Sequence, residues 1–114
     1  MAGLDTEWLC ENSGARVSLR ELLEYTQSIP AQKTAIDTLK PRLLNWPKKS
    51  REWQRVRSVD ISCPDIVLKH GTTVYRIIDG HHRIHKALLL GWNSIDAKLV
   101  SSHTLPQRYR CVFL

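Results

Sequence analysis

Four polar or charged side chains lie within five residues, in the segment Asp79-Gly80-His81-His82-Arg83, directly after the apolar pair Ile77-Ile78. We expect a strand to end here and a helix to begin, and a helix N-terminus favours anions through its backbone N–H groups and its dipole. Gly80 allows a ligand to approach the backbone closely. Arg83 can clamp an anion with two parallel hydrogen bonds, and both histidines can donate hydrogen bonds or transfer protons near neutral pH. The segment therefore predicts a phosphate site.

Asp79 is the candidate for chemistry beside that site, because a carboxylate can hold Mg²⁺ or act as a general base. His81 is the second candidate catalytic residue. A structural interpretation stays open, in which Asp79 only caps the helix and both histidines are solvated.

Zinc and thiol chemistry are not expected. His81 and His85 have the i, i+4 spacing of zinc-binding helices, but the sequence places no third ligand beside them. A lone His85 is more typical of a helix surface or an interface. Nothing marks Cys10, Cys63 or Cys111 as a reactive thiol, so we expect three reduced cysteines in a cytosol-like compartment.

A basic stretch supports a second hypothesis. The segment 40–57 contains seven Lys or Arg residues and one acid, Glu52, within a chain of net charge +6. Interleaved cations and aromatic residues can hold nucleic acid by charge and stacking. The candidates are Lys48, Lys49, Arg51 and Arg55, with Trp46 and Trp53 as stacking surfaces. The alternative is a solvated basic face with both tryptophans in the core.

The 114 residues and ordinary globular composition predict one domain at 16–114 after an irregular lead-in at 1–15, with no signal peptide and no membrane span. Ser18-x-x-Glu21 is a capping box, which predicts a helix that ends before Pro30. Further helices are expected at about 31–39 and at 50–57. Pro41 either ends the first of these or begins another short helix at 42–46.

The second half has strand patterns. We expect antiparallel strands at 66–68 and 72–78, a helix at 81–90 with Ile84, Ala87, Leu88 and Trp92 inward, and a strand at 94–100. A last strand or helix follows at 109–113. The prediction is a small α+β domain with a mixed sheet, N-terminal helices and the 81–90 helix packed on the sheet.

The Asp79–Arg83 motif, with Ile84, Ala87 and Leu90-Gly91-Trp92 after it, resembles the G-x-H-R signature of the ParB/sulfiredoxin superfamily. The resemblance covers about 16–100, including Pro64-Asp65-Ile66-Val67 as the strand before the motif. It implies nucleotide binding, with phosphates on Gly80, His82 and Arg83 and with Mg²⁺ at Asp79. Gln27 and Lys33 are further candidate residues, for the wall of the nucleotide site that lies opposite the Asp79–Arg83 motif.

The resemblance implies ATP, ADP or CTP as ligand and leaves phosphotransferase or nucleotide hydrolase activity open. Sulfiredoxin activity is not expected, because His81 stands where that motif has cysteine. A DNA- or RNA-binding or nuclease-type protein, and a non-catalytic interaction module of a phage or mobile element, remain alternatives. A cytoplasmic location without a membrane partner is the corresponding expectation.

Overall fold

The computed structural model describes residues 6–43 and 47–114. This part of the chain forms six strands and five α-helices. In chain order they are β1 (Glu7–Leu9), β2 (Arg16–Ser18), α1 (Leu19–Tyr25), β3 (Ala31–Ala35), α2 (Ile36–Leu39), α3 (Ser50–Ser58), β4 (Asp65–His70), β5 (Thr73–Asp79), α4 (His81–Leu89), β6 (Ser94–Ser101) and α5 (Gln107–Phe113). One-turn 3₁₀ helices lie at Lys40–Arg42 and Ser102–Thr104.

The main sheet has four strands in the order β3-β6-β4-β5. Strands β4 and β6 are parallel, and the other neighbours are antiparallel. Strands β1 and β2 form a separate two-stranded sheet. This architecture confirms the prediction of a compact α+β domain with a small mixed sheet.

Two hydrophobic clusters cover the two faces of this sheet, because successive strand residues point to opposite faces. Ile66, Leu68 and Ile78 pack on one face with residues of α1 and α5. Val67, Ile77 and Ala97 pack on the other with α2 and with Ile84 and Ala87 of α4. Helix α4 is thus fixed against the sheet by its buried face.

The N-terminal half differs from the sequence prediction. The helix expected at 31–39 is a strand over Ala31–Ala35 and helical only over Ile36–Leu39. Alanine, glutamine and lysine favour helix locally, but pairing with β6 overrides that preference. Glu7–Leu9 forms a short strand within the segment expected to be irregular.

Several local predictions are confirmed. Ser18 and Glu21 form the capping box reciprocally, and α1 ends at Tyr25, before Pro30. The expected α3 and the β4–β5 hairpin are present. The segment 109–113, for which the sequence predicts either a strand or a helix, is helical. The alternative short helix at 42–46 falls partly outside the described residues.

The cysteine prediction is wrong for two residues. Cys10 and Cys111 form a disulfide, with their Cα atoms 5.7 Å apart. The physical reason is that α5 packs on the β2 segment, which brings residues 101 positions apart in sequence into contact. Cys63 is the free cysteine of the described part of the chain, and it is exposed.

Candidate functional site

The site begins at Gly80, which joins β5 to α4. Its φ of +117° is a conformation that L side chains rarely adopt. A Cβ atom built at this position would lie 2.0 Å from Asp65 Oδ1. Glycine is therefore required here, because the backbone runs directly against the side chain that begins the neighbouring strand.

Arg83 lies beneath this junction, in a buried cluster with two carboxylates. Its Nη1 is 3.5 Å from Asp65 Oδ1 and 3.5 Å from Asp79 Oδ2, and it donates a 3.3 Å hydrogen bond to the Pro64 carbonyl. Only 8% of the Arg83 residue is exposed. The guanidinium thus fixes the ends of β4 and β5 to the first turn of α4.

Asp65 is the residue of the site that sequence reasoning missed. It is fully buried, and neither carboxylate oxygen has a hydrogen-bond partner among the described residues. Burial raises the pKa of Asp65 to about 8, against the opposing effect of the Arg83 charge. At neutral pH the neutral form of the Asp65 carboxyl group is therefore favoured beside the Arg83 guanidinium. The available signal was an acid after Pro64 at the start of an apolar strand.

The two histidines at the start of α4 have different surroundings. His81 Nε2 donates to the Ile77 carbonyl at 3.2 Å, and burial lowers the His81 pKa, opposed by that bond. His82 is also partly exposed. Its pKa is lowered mainly by burial and, to a smaller extent, by nearby positive charges that include Arg55. Both side chains are thus favoured as neutral imidazoles near pH 7.

His85 is a correction to the sequence prediction. The sequence predicts a position on the helix surface or at an interface, but His85 is only 2% exposed, because the face of α4 that carries it is covered by the rest of the domain. Trp92, expected inward, is 44% exposed, since α4 ends at Leu89 and Gly91 turns the chain outward.

Helix α3 forms the flank of the site, because it packs against α4. Lys86 on α4 donates hydrogen bonds of 2.8 and 2.9 Å to the carbonyls of Arg57 and Val59. The charges of Arg55 and Glu52, both on α3, act on the His82 pKa in opposite directions. The basic stretch and the Asp79–Arg83 motif, which suggested separate hypotheses, thus adjoin.

The basic residues of the second hypothesis are on the surface. Lys48, Lys49, Arg51 and Arg55 are exposed, while Trp53 is half-buried. Glu52 accepts a 2.8 Å hydrogen bond from the Lys48 backbone, and that bond lowers the Glu52 pKa. Trp46 lies outside the described residues.

Lys33 lies apart from this junction, in contrast to the expectation that it forms part of the same site. Lys33 is on β3, three strands from β5, which corresponds to roughly 14 Å at the usual strand spacing. It lines a different cleft, of about 580 Å³, with Trp92 and Asp96. Gln27 is exposed in the turn after α1.

The carboxylates of Asp79 and Asp65 are the groups at this site that could ligate a cation. Arg83 lies between them and already supplies the positive charge, so the pair does not fit a Mg²⁺ site while Arg83 keeps its position. Residues 6–43 and 47–114 contain no group of three or more His, Cys, Asp or Glu side chains arranged to hold a metal ion.

Comparison of the chain with protein families, with curated proteins and with solved structures finds no match. No helix within the described ranges is long and apolar enough to cross a bilayer.

Proposed function

We propose that this protein binds the phosphate groups of a nucleotide at the start of α4, on Gly80, His82 and Arg83. The observation that carries the proposal is the Gly80 junction, where the backbone conformation brings a helix N-terminus, two partly exposed imidazoles and a buried arginine together. The resemblance of the Asp79–Arg83 motif to the ParB/sulfiredoxin superfamily points the same way.

The charges around the junction favour a ligand with more than one phosphate. Arg83 is balanced by Asp79, so its charge alone gives little net attraction. The remaining attraction for phosphate comes from the helix dipole of α4 and from the exposed cations of α3, which lie along adjoining surfaces. A polyphosphate chain can contact both surfaces, whereas a single phosphate reaches one.

We assign His82 to the phosphates, because it is partly exposed in the first turn of α4, the end of a helix that favours anions. His81 faces the Ile77 carbonyl at the end of β5, beside Asp79. It is therefore the residue placed to transfer a proton if the site performs phosphotransfer or hydrolysis. ATP, ADP and CTP are the candidate ligands, with Mg²⁺ carried on the nucleotide rather than held by the buried carboxylates.

The test is the thermal stability of the protein titrated with ATP, ADP, CTP and GTP, with and without Mg²⁺. A nucleotide at one hundred times its dissociation constant stabilises the fold by about 2.7 kcal/mol. His82→Ala is expected to weaken binding about tenfold or more, the usual effect of losing a hydrogen bond to a charged group.

His103→Ala is the matched control, since His103 is an exposed histidine beyond the far end of β6. No stabilisation by any of the four nucleotides would overturn the proposal. Equal affinity in the His82 and His103 variants would show that the phosphates do not lie on α4.

A second candidate function is nucleic-acid binding on α3, favoured by the exposure of Lys48, Lys49, Arg51 and Arg55 on one segment. It predicts that affinity for an oligonucleotide falls steeply with salt, by about one counterion for each phosphate contacted. It also predicts that Lys49→Gln weakens this binding, whereas His82→Ala leaves it unchanged. Titration at two salt concentrations separates the two functions.

A further inference from the structure

A second cleft lies at the opposite end of β4 from Asp65. It has a volume of about 340 Å³ and is lined by the 3₁₀ segment at Lys40–Arg42, by β3 and by the β4–β5 hairpin. Asp65 and Lys69 are four strand residues apart, which corresponds to about 13 Å, so this cleft is separate from the α4 site.

The polar lining of this cleft is cationic and rich in hydroxyl groups. Its cations are Arg42 and Lys69, and its hydroxyls come from Thr34, Thr38, Thr72 and Thr73. No carboxylate is among the lining residues. The hydroxyls of Thr34 and Thr38 already donate to the carbonyls of Gln32 and Ala35, at 3.1 and 2.6 Å. The hydroxyls of Thr72 and Thr73 are therefore the donors suited to the oxygens of a phosphate group.

Both cations are without a countercharge among the residues that the structure describes. Within residues 6–43 and 47–114, neither Arg42 nor Lys69 takes part in an ion pair. Arg42 is nevertheless held in place, because its Nε donates a 3.1 Å hydrogen bond to the Val74 carbonyl. Lys69 is half-buried at a register irregularity of β4, a feature that redirects a side chain.

The cleft also has an apolar part, formed by Pro41, Val74 and Leu99. Its volume falls at the lower end of the range of small-molecule sites. An inorganic anion would leave that apolar surface uncovered, whereas an organic anion with a small hydrocarbon body would cover it.

We propose that this cleft binds a small organic phosphate monoester, with the phosphate on Arg42 and Lys69 and the organic group on Val74 and Leu99. The two cations place the phosphate at the hairpin end of the cleft. The threonine hydroxyls of the hairpin donate to the remaining phosphate oxygens.

Phenyl phosphate is the probe, and the amide NMR signals of Thr72 and Thr73 are the readout. Saturable shifts of these two signals are expected, with an affinity greater than that for inorganic phosphate. Lys69→Gln is expected to weaken binding about tenfold or more. The matched control is Lys48→Gln, which removes an exposed cation outside the cleft and is expected to leave the affinity unchanged.

Absence of saturable shifts at Thr72 and Thr73 would overturn the proposal, and so would equal weakening by Lys69→Gln and Lys48→Gln. Equal affinity for phenyl phosphate and inorganic phosphate would refute the apolar contact. Shifts at residues 80–83 instead would place the probe at the α4 site. The two sites can therefore fail independently, because each has its own signals and its own variants.

Discussion

Replacing Gly80 with alanine tests the close approach on which the α4 site depends. The new Cβ would meet Asp65 Oδ1 at 2.0 Å, Cγ at 2.5 Å and Cβ at 2.9 Å, and the φ of +117° would be strained for any L residue. Overpacking a core costs about 1–3 kcal/mol, and a left-handed conformation adds about 1–2 kcal/mol. We therefore expect Gly80→Ala to lower the free energy of unfolding by about 2–5 kcal/mol.

The matched control is Gly91→Ala, at the other end of α4. Gly91 also has a positive φ, +76°, but nothing lies within 4 Å of a Cβ built there. The expected decrease in its free energy of unfolding is the conformational part alone, about 1–2 kcal/mol. Urea denaturation of both variants measures the difference.

A third variant isolates the contact itself. In an Asp65→Ala background the two closest atoms are gone, so Gly80→Ala should cost less than it does in the native protein. Equal losses for Gly80→Ala and Gly91→Ala, or an unchanged cost in the Asp65→Ala background, would refute the close approach of Gly80 to Asp65.

Three further predictions concern other parts of the structure. Burial raises the Asp65 pKa from 3.8 to about 8, so between these pH values the folded protein holds a proton that the unfolded chain has released. The free energy of unfolding should therefore fall as pH rises from about 4 to about 8. Urea denaturation at several pH values measures this fall, and Asp65→Asn should remove it. Reduction of the Cys10–Cys111 disulfide should cost about 2–4 kcal/mol, and alkylation of the native protein followed by mass spectrometry should modify Cys63 alone. Ser18→Ala should cost about 1 kcal/mol in thermal denaturation by removing the N-cap of α1, whereas the exposed Ser28→Ala should have little effect.

The second half of the fold could be predicted because its signals are local. The hairpin of β4 and β5 has β-branched strands around His70-Gly71, and α4 lies between Gly80 and Gly91, both with positive φ. The capping box at Ser18 is equally local. Each of these elements is specified by residues within a few positions of its ends.

Strand β3 could not be predicted in the same way. Its residues, Ala31 to Ala35, are mostly exposed and have no apolar alternation, because it is an edge strand that pairs on one side with β6. The only information that makes this segment a strand is the position of β6, more than sixty residues later. The Cys10–Cys111 contact depends on the tertiary arrangement for the same reason.

The residues of the candidate site fall into the same two groups, those placed by the local sequence and those placed by tertiary packing. Asp79, Gly80, His81, His82 and Arg83 are contiguous, so their common position follows from the strand–helix junction. The presence of Asp65 follows only from the pairing of β4 with β5, in which Ile66 lies opposite Asp79. The effect of the Arg55 charge on His82 likewise requires the packing of α3 on α4.

Asp65 is the strongest reason to regard this junction as more than a well-capped helix. A fully buried carboxyl group without hydrogen bonds lowers stability, and a buried ion pair is often no more stable than an apolar replacement of similar size. Helix α4 could be fixed to β5 by Arg83 and Asp79 alone, with an apolar residue at the start of β4. Stability alone does not require the second acid, and the placing of Arg83 between two acids agrees with the phosphate site that we propose.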